Sequence, residues 1–118
     1  MSSLRSISCL RVQEAIVRLF VLTKLSASRM HGYELLKAVR EEASRHPMAA
    51  GTSPGRLYSF LGSLERAGYI RSRWDTQGGR PRKLLSITPA GKRMLSDAKV
   101  YLRVAVGEMR LWMPEVFE

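Results

Sequence analysis

Cysteine and histidine are scarce in this sequence, with one cysteine and two histidines among 118 residues. The single thiol, Cys9, excludes a disulfide within the chain and a zinc site made of several thiolates. With so few nitrogen and sulfur ligands, we expect no metal and no cofactor. No nucleophile is grouped with a base and an orienting residue, so we do not expect an enzyme. We interpret Cys9 as a small structural residue near the first helix, with a redox role as the alternative.

Long apolar runs are also absent. The most apolar stretch, residues 19–23, is closed off by Arg18 and Lys24, which argues against a membrane partner and against a signal peptide. We therefore expect a cytoplasmic protein associated with the nucleoid. A chain of 118 residues with 45% hydrophobic residues is long enough for one compact domain and too short for two ordinary ones.

Acidic residues are few compared with basic ones, at 10 against 20, and the net charge is +10. Such an excess in a small domain is typical of proteins that bind nucleic acid. Residues 53–83 hold seven bases and two acids, whereas residues 84–118 are nearly neutral, with five bases and four acids. The segment 53–83 is therefore the expected nucleic-acid interface.

Apolar residues recur at helical spacing in two segments, which predicts amphipathic helices over about 10–25 and 31–43. A third helix is predicted to begin at Ser53 and Pro54, because a serine N-cap followed by proline is a strong start signal. Gly68 is expected to end this helix. The residues between the second and third helices, around 46–51, are predicted to form a loop.

Apolar and basic residues alternate over 69–74, and a second alternating run covers 85–87, which together predict an antiparallel hairpin. The glycine pair at 78–79 supplies its bend. Thr88 repeats the N-cap signal, and a long helix is expected from there to about Met113.

The order of helix, helix, helix, strand, basic turn, strand and helix predicts a mainly α fold with a small β-hairpin (α+β). We assign residues 1–88 to a winged helix-turn-helix and residues 89–118 to a C-terminal dimerisation helix. In such a fold the third helix enters the DNA major groove, and the hairpin stands beside it as a wing that reaches phosphates or the minor groove.

Five segments in this order resemble the PadR family of bacterial and archaeal transcriptional regulators. They are MHGYELL at 30–36, SPGRLY at 53–58, LERAGYI at 64–70, GRPRK at 79–83 and ITPAG at 87–91. The resemblance implies a homodimeric winged-helix repressor of the short subfamily, with the C-terminal helix as the dimer contact. The loop at 45–52 is longer and more apolar than is usual in the family.

We predict that eight side chains contact double-stranded DNA. They are Ser53, Arg56, Tyr58, Ser59 and Ser63 on the third helix, and Arg80, Arg82 and Lys83 on the wing. Arg56, in the first turn, is the candidate for a base contact, and the hydroxyls can bond phosphates or bases. The alternative for the helix and the wing is a solvated surface, and the alternative for Tyr58 is packing at the edge of the core.

The last helix is predicted to pair with a second copy. Its apolar residues follow the alternating three-and-four spacing of a coiled coil: Leu95, Ala98, Leu102, Ala105, Met109 and Trp112. Because the two alanines are small, a cavity between subunits could hold a flat apolar or aromatic effector against Tyr101, Met109 and Trp112. The alternative is ordinary interface packing.

Together these patterns indicate a sequence-specific transcriptional regulator. Two other functions use the same features: a nucleoid-type protein with little sequence preference, and a winged helix that serves protein assembly. Trp74 is interpreted as packing in the core or on the hairpin rather than contacting DNA. His31 is expected to cap the second helix, with a pH-dependent role as the alternative.

Overall fold

A computed structural model describes the backbone of residues 7–45 and 53–118, with the side chains of residues 14–42, 44–45 and 53–118. The predicted loop at 46–51, His46 and the side chain of Cys9 lie outside this description. The elements are α1 (Ile7–Ala27), β1 (Met30–His31), α2 (Gly32–Arg45), α3 (Pro54–Arg66), β2 (Ile70–Asp75), β3 (Arg82–Ile87), α4 (Pro89–Trp112) and a 3-10 helix (Pro114–Phe117).

The predicted start and stop signals of α3 and α4 are confirmed. Ser53 is the N-cap of α3, and its Oγ accepts the Arg56 N–H at 3.2 Å. Thr88 is the N-cap of α4, and its Oγ1 accepts the Gly91 N–H at 3.1 Å. Gly68 follows the last turn of α3 with a φ of +83°, a conformation that a side chain makes costly.

The sheet has three antiparallel strands in the order β1-β3-β2. The predicted hairpin is confirmed as the pairing of β2 with β3, in a register that places Ile70 opposite Ile87 and Asp75 opposite Arg82. The strand β1 was not predicted, because two residues are too few to show an alternating pattern. The mainly helical α+β winged-helix class is confirmed.

One hydrophobic core lies between α1, α2, α3 and the sheet. Its buried side chains are Val17, Val21, Leu22, Leu25, Leu35, Leu36, Val39, Leu57, Phe60, Leu61, Leu64, Ile70, Leu85 and Leu95. The three largest that are fully buried, Val21, Leu35 and Leu57, come one from each of the first three helices. These helices and the sheet therefore fix the position of α3 and of the hairpin relative to one another.

The first turns of α4 belong to this core, and the rest of the helix extends beyond it. Leu95 is 5% exposed and packs within its own protomer. Its assignment to the dimer contact is corrected for that reason, since it has almost no surface left for a partner. The 24 residues of α4 span about 36 Å at 1.5 Å per residue. This length contributes to the elongated shape of the chain, 55 × 32 × 23 Å.

Among the described residues, no helix combines the length and the apolar character that crossing a membrane requires.

Candidate nucleic-acid interface

The outward side of α3 carries small residues and one arginine. At 3.6 residues per turn, Gly55, Ser59, Gly62 and Arg66 fall on one line, opposite the buried stripe of the helix. The Arg66 guanidinium folds back along this line, since a Cβ built at Gly62 would lie 3.2 Å from its Nη1 atom. Small residues allow close approach, and a guanidinium can donate two hydrogen bonds to guanine or phosphate. Ser59 lies on the predicted face, and Arg66, seven residues later, shares this face although it is not among the eight predicted contacts.

Three other predicted residues of α3 are engaged within the protein. Ser53 caps the helix, and Arg56 Nη2 lies 3.2 Å from Glu14 Oε1 on α1. The Arg56 side chain remains 43% exposed, so this ion pair can exchange with other partners. Ser63 donates a hydrogen bond to the Phe60 carbonyl at 2.9 Å and borders a groove beside α1 and α4. Ser63 therefore lies beside the outward line, on the side of α3 that borders the groove.

Two aromatic residues of this region, Tyr58 on α3 and Trp74 on β2, are exposed. Tyr58 is 52% exposed, and its ring edge contacts the start of α2, 4.0 Å from a Cβ built at Gly32. Its two predicted roles are thus compatible, because one edge of the ring packs while much of the side chain is exposed. Trp74 lies opposite Lys83 on the hairpin, with the ammonium 5.9 Å from the ring centroid. Trp74 packs on the hairpin as expected, but outside the core, at 65% exposure.

The turn between β2 and β3 has a defined conformation. Gly78 and Gly79 adopt φ values of +86° and +89°, which residues with a side chain rarely adopt. Asp75 Oδ1 accepts the Gln77 N–H at 3.1 Å, which fixes the first half of the turn. The turn therefore fixes the course of the backbone that carries Arg80, Arg82 and Lys83.

The cations of the wing are exposed and close together. Arg80, Arg82 and Lys83 have no carboxylate within ion-pair distance among the residues that the structure describes. Arg71 and Arg73 on β2 add two more exposed positive charges to the same hairpin. The resulting field attracts a polyanion.

His31 joins the wing to the start of α2. Its Nδ1 lies 2.5 Å from Glu34 Oε1, and its Nε2 lies 2.9 Å from Asp75 Oδ2. Glu34, in the first turn of α2, also accepts the backbone N–H of His31 at 3.1 Å. This bond places His31 at the N-cap position of α2, with the glutamate reaching back to it. The hydrogen bonds to Asp75 and Glu34 raise the pKa of His31 above its usual value. The hydrogen bond from His31 lowers the pKa of each carboxyl in turn.

A groove of about 530 Å³ lies between α1, α3 and α4. Its lining is mostly apolar: Ala15, Arg18, Leu19, Leu22, Ser63, Leu64, Ala67, Tyr69, Met94, Ala98, Tyr101 and Leu102. Arg18 is its main polar feature, with a guanidinium 5.4 Å from the Phe60 ring centroid. Its buried Nε has no hydrogen-bond partner among the residues that the structure describes. The groove can accept an apolar group from a partner or a ligand.

The predicted dimer and effector residues of α4 are only partly brought together. Ala98, Tyr101 and Leu102 line the groove, whereas Met109 and Trp112 lie beyond it. Trp112 is 79% exposed and is eleven residues, or about 16 Å, from Tyr101 along the helix. A single protomer therefore does not assemble the three predicted effector contacts.

Comparison with known proteins agrees with this geometry. Residues 21–97 match the model of the transcriptional regulator PadR-like family. Transcriptional regulator Rv3488 of Mycobacterium tuberculosis is 36% identical over 85 residues, which cover 72% of this chain and 74% of that protein. The fold is similar to that of a PadR family transcriptional regulator from Eggerthella lenta, with a TM-score of 0.70, 25% identity and coverage of 95% and 96% of the two chains.

The fold is also similar to that of PadR from Bacillus subtilis, whose structure was solved in complex with operator DNA. The TM-score is 0.61 at 23% identity, and the match covers 72% of this chain and 47% of that chain. With the family model covering most of the sequence and a relative above 30% identity, the chain belongs to the PadR-like family of transcriptional regulators.

Proposed function

We propose that this chain is a sequence-specific repressor that binds double-stranded DNA as a homodimer. The observation that carries the proposal is the outward line of α3, small residues followed by Arg66, together with a hairpin whose cations Arg80, Arg82 and Lys83 have no described carboxylate within ion-pair distance. This arrangement supports insertion of α3 into the major groove and contact of the wing with the backbone. Membership of the family and the operator complex of the Bacillus subtilis protein support the same partner.

Sequence reading is assigned to Arg56 and Arg66, the two guanidinium groups on the exposed part of α3. When DNA binds, Arg56 leaves Glu14 and contacts the edge of a guanine. The ion pair with Glu14 is exposed and stabilises the protein by only about 0.2–1 kcal/mol, so it is weak enough to break. Ser59 on the outward line and the neighbouring Tyr58 contact the adjacent DNA backbone. Arg80, Arg82 and Lys83 supply contacts to phosphates, which carry affinity but no base information.

The homodimer is supported by the part of α4 that leaves the core. Leu102 and Trp112 are 45% and 79% exposed. Exposure of large apolar side chains along one helix to water is unfavourable and is typical of a surface that binds a partner. Ala98 and Ala105 on the same face let a second helix approach closely. A second copy that packs against this face and the adjoining groove shields these residues and presents two copies of α3 to one duplex.

An effector site is a separate part of the proposal, and the groove beside Tyr101 is the feature that supports it. Its volume of about 530 Å³ lies within the range of small-molecule sites, and its lining is apolar. Fluorescence of anilinonaphthalene sulfonate, a flat aromatic probe, tests it. Binding that persists undiminished after Ala98→Phe narrows the groove would exclude this site.

The deciding experiment is competition binding on a selected palindromic operator, on the same operator with its half-sites shifted by half a turn, and on random duplex. A two-fold dimer needs half-sites about 34–36 Å apart, so the shifted operator should bind like random DNA. Arg56→Ala should cost about 1–3 kcal/mol on the operator and much less on random duplex. Arg103→Ala on α4 removes one charge elsewhere and is the control.

Two outcomes would replace the proposal. If the unmodified protein binds all three duplexes within a few-fold, the nucleoid-type function is favoured. If it binds none of them even at low salt, the winged helix serves protein assembly.

A further inference from the structure

The contact between His31 and Asp75 crosses the sheet from one outer strand to the other. The central strand β3 pairs with β1 on one side and with β2 on the other. Its Leu84 pairs with His31 of β1, and its Arg82, two residues earlier, pairs with Asp75 of β2. The imidazole therefore reaches over β3 to the last residue of β2. Asp75 is also the residue whose second oxygen holds the Gln77 N–H of the wing turn. One side chain thus links the start of α2 to the base of the turn.

The two hydrogen bonds of the His31 ring determine whether the imidazole is charged. Both ring nitrogens face carboxylate oxygens, which accept hydrogen bonds and cannot donate them. Only the imidazolium carries an N–H on both nitrogens, so both contacts exist together only when His31 is protonated. A neutral ring retains one donor, and either Glu34 or Asp75 then faces a lone pair.

We propose that His31 is a positioning residue, whose imidazolium clamps β2 to α2 and so fixes the direction in which the wing presents its cations. The inference rests on the proposed DNA-binding function, because the wing is assigned to DNA there. The clamp is partly shielded, with 19% and 21% of the His31 and Asp75 side chains exposed. It lies at the base of the wing turn, whose residues 76–81 are exposed.

The charged groups around the imidazole come from three elements. Glu34 on α2 and Asp75 on β2 stabilise the imidazolium, while Arg82 on β3 opposes it. Arg73 is on β2 opposite Leu84, the residue that pairs with His31, and adds a second positive charge to this face. The carboxylates are closer and hydrogen-bonded, so their effect dominates and the pKa of His31 is raised.

The sign of the pH dependence follows from this shift. Because the pKa of His31 is raised by folding, the clamp is complete below the ordinary imidazole value of about 6.5 and is lost as pH rises through the raised pKa. The lowered pKa values of Glu34 and Asp75 keep both carboxylates ionised well into acid. DNA affinity should therefore fall as the solution changes from mildly acidic to mildly alkaline.

The test measures DNA affinity against pH for the full chain and three variants. The unmodified protein should lose about two- to fivefold in affinity across the His31 titration, the range for a partly exposed ion pair. His31→Gln and Asp75→Asn should each flatten this dependence, and Asn can still accept the Gln77 N–H. His46→Gln replaces the other histidine of the chain and should keep the dependence.

Asp75→Asn separates the clamp from the charge of the imidazolium itself. If the pH dependence arose only from attraction between His31 and DNA, it would survive this change, and the proposal would be overturned. Loss of the dependence in His46→Gln together with its retention in His31→Gln would also overturn it.

A second readout needs no DNA. Trp112→Phe leaves Trp74, the residue before Asp75, as the only tryptophan. Its emission should titrate with the same midpoint as the His31 ring protons in NMR spectra, and His31→Gln should abolish the transition. Separate midpoints contradict the clamp. If Trp74 emission and the His31 ring protons share one midpoint but the protein binds no DNA, the clamp is supported and only the proposed DNA-binding function is refuted.

Discussion

At Gly91 the first turn of α4 has no room for a side chain. A Cβ built there would lie 2.1 Å from the Tyr69 carbonyl oxygen and 2.7 Å from Ile87 Cγ1. The close approach results from hydrogen bonds that tie the start of α4 to the end of α3. Thr88 donates its hydroxyl to the Gly68 carbonyl at 2.6 Å, and the Thr88 N–H donates to the Tyr69 carbonyl at 3.0 Å.

Gly91→Ala should therefore destabilise the fold, although alanine normally favours a helix over glycine by about 0.5–1 kcal/mol. The backbone at Tyr69 must shift to make room for the new methyl group. Overpacking of this kind destabilises a protein by about 1–3 kcal/mol, which exceeds the gain in helix propensity. Thermal unfolding at one protein concentration measures it. Gly107→Ala is the matched control, because no neighbouring atom lies within 4 Å of its Cβ position. Equal melting temperatures for the two variants would contradict the tight junction.

At the scale of single elements, the wing combines rigidity with unbalanced charge. Its two central glycines take positive φ values, and Asp75 holds the turn from one side. Arg80, Arg82 and Lys83 follow with no carboxylate in ion-pair distance among the described residues. A rigid hairpin of this kind holds its positive charges in one direction. It is therefore better suited than a flexible tail to contact the DNA backbone.

Replacing Arg80, Arg82 and Lys83 together with alanine should weaken binding to operator and random duplex by similar factors, since phosphates carry no base information. Each lost phosphate contact should flatten the plot of log affinity against log salt by about 0.9 units. The control replaces Lys92, Arg93 and Lys99 on α4, which removes the same charge at exposed positions. If both triple variants change the slope equally, net charge rather than the wing determines affinity.

At the scale of the whole molecule, α4 has two apolar faces after it leaves the core. One face continues the groove through Leu102 and Met109. The opposite face carries Val100 and Leu111, which are 58% and 79% exposed. The first face adjoins a preformed depression, and the second is a convex helix surface, so the first offers more contact to a second copy.

Changing Leu102 and Met109 to glutamate should dissociate the proposed dimer, because like charges would face each other across a dry contact. The winged-helix body should stay folded, since neither residue belongs to its core. Sedimentation gives the mass, and circular dichroism reports the fold. Val100 and Leu111, changed to glutamate in the same way, test the opposite face and should leave the mass unchanged. The reverse result would move the interface to that face.

Local signals in the sequence were enough to predict most of the fold. N-caps, prolines and glycines mark the ends of α3 and α4, and the alternation in β2 marks the hairpin. The strand β1 was missed because its pairing depends on β3, more than 50 residues away in the chain. Helical spacing also placed Leu95 correctly on an apolar face, but it could not say whether that face meets the core or a partner.

The site was less predictable than the fold, because side-chain partners arise from tertiary contacts. The Glu14 partner of Arg56 is 42 residues away in sequence, and the Asp75 partner of His31 is 44 residues away. No local pattern connects such pairs. Arg66 is different, since its spacing of seven from Ser59 places it on the outward face from the sequence alone.

The pairing of Arg56 with Glu14 has a consequence for the attraction of the protein to random sequence. A chain with a net charge of +10 meets any duplex with strong attraction, and non-operator sequence is far more abundant than operator. While Arg56 stays with Glu14 at 3.2 Å, it adds nothing to that general attraction. In the proposed base contact, the two-atom edge of a guanine accepts two hydrogen bonds from Arg56 and so compensates for the loss of the carboxylate. If Arg56 reads a base as proposed, the acid on α1 therefore reduces the share of this arginine in the attraction to random sequence.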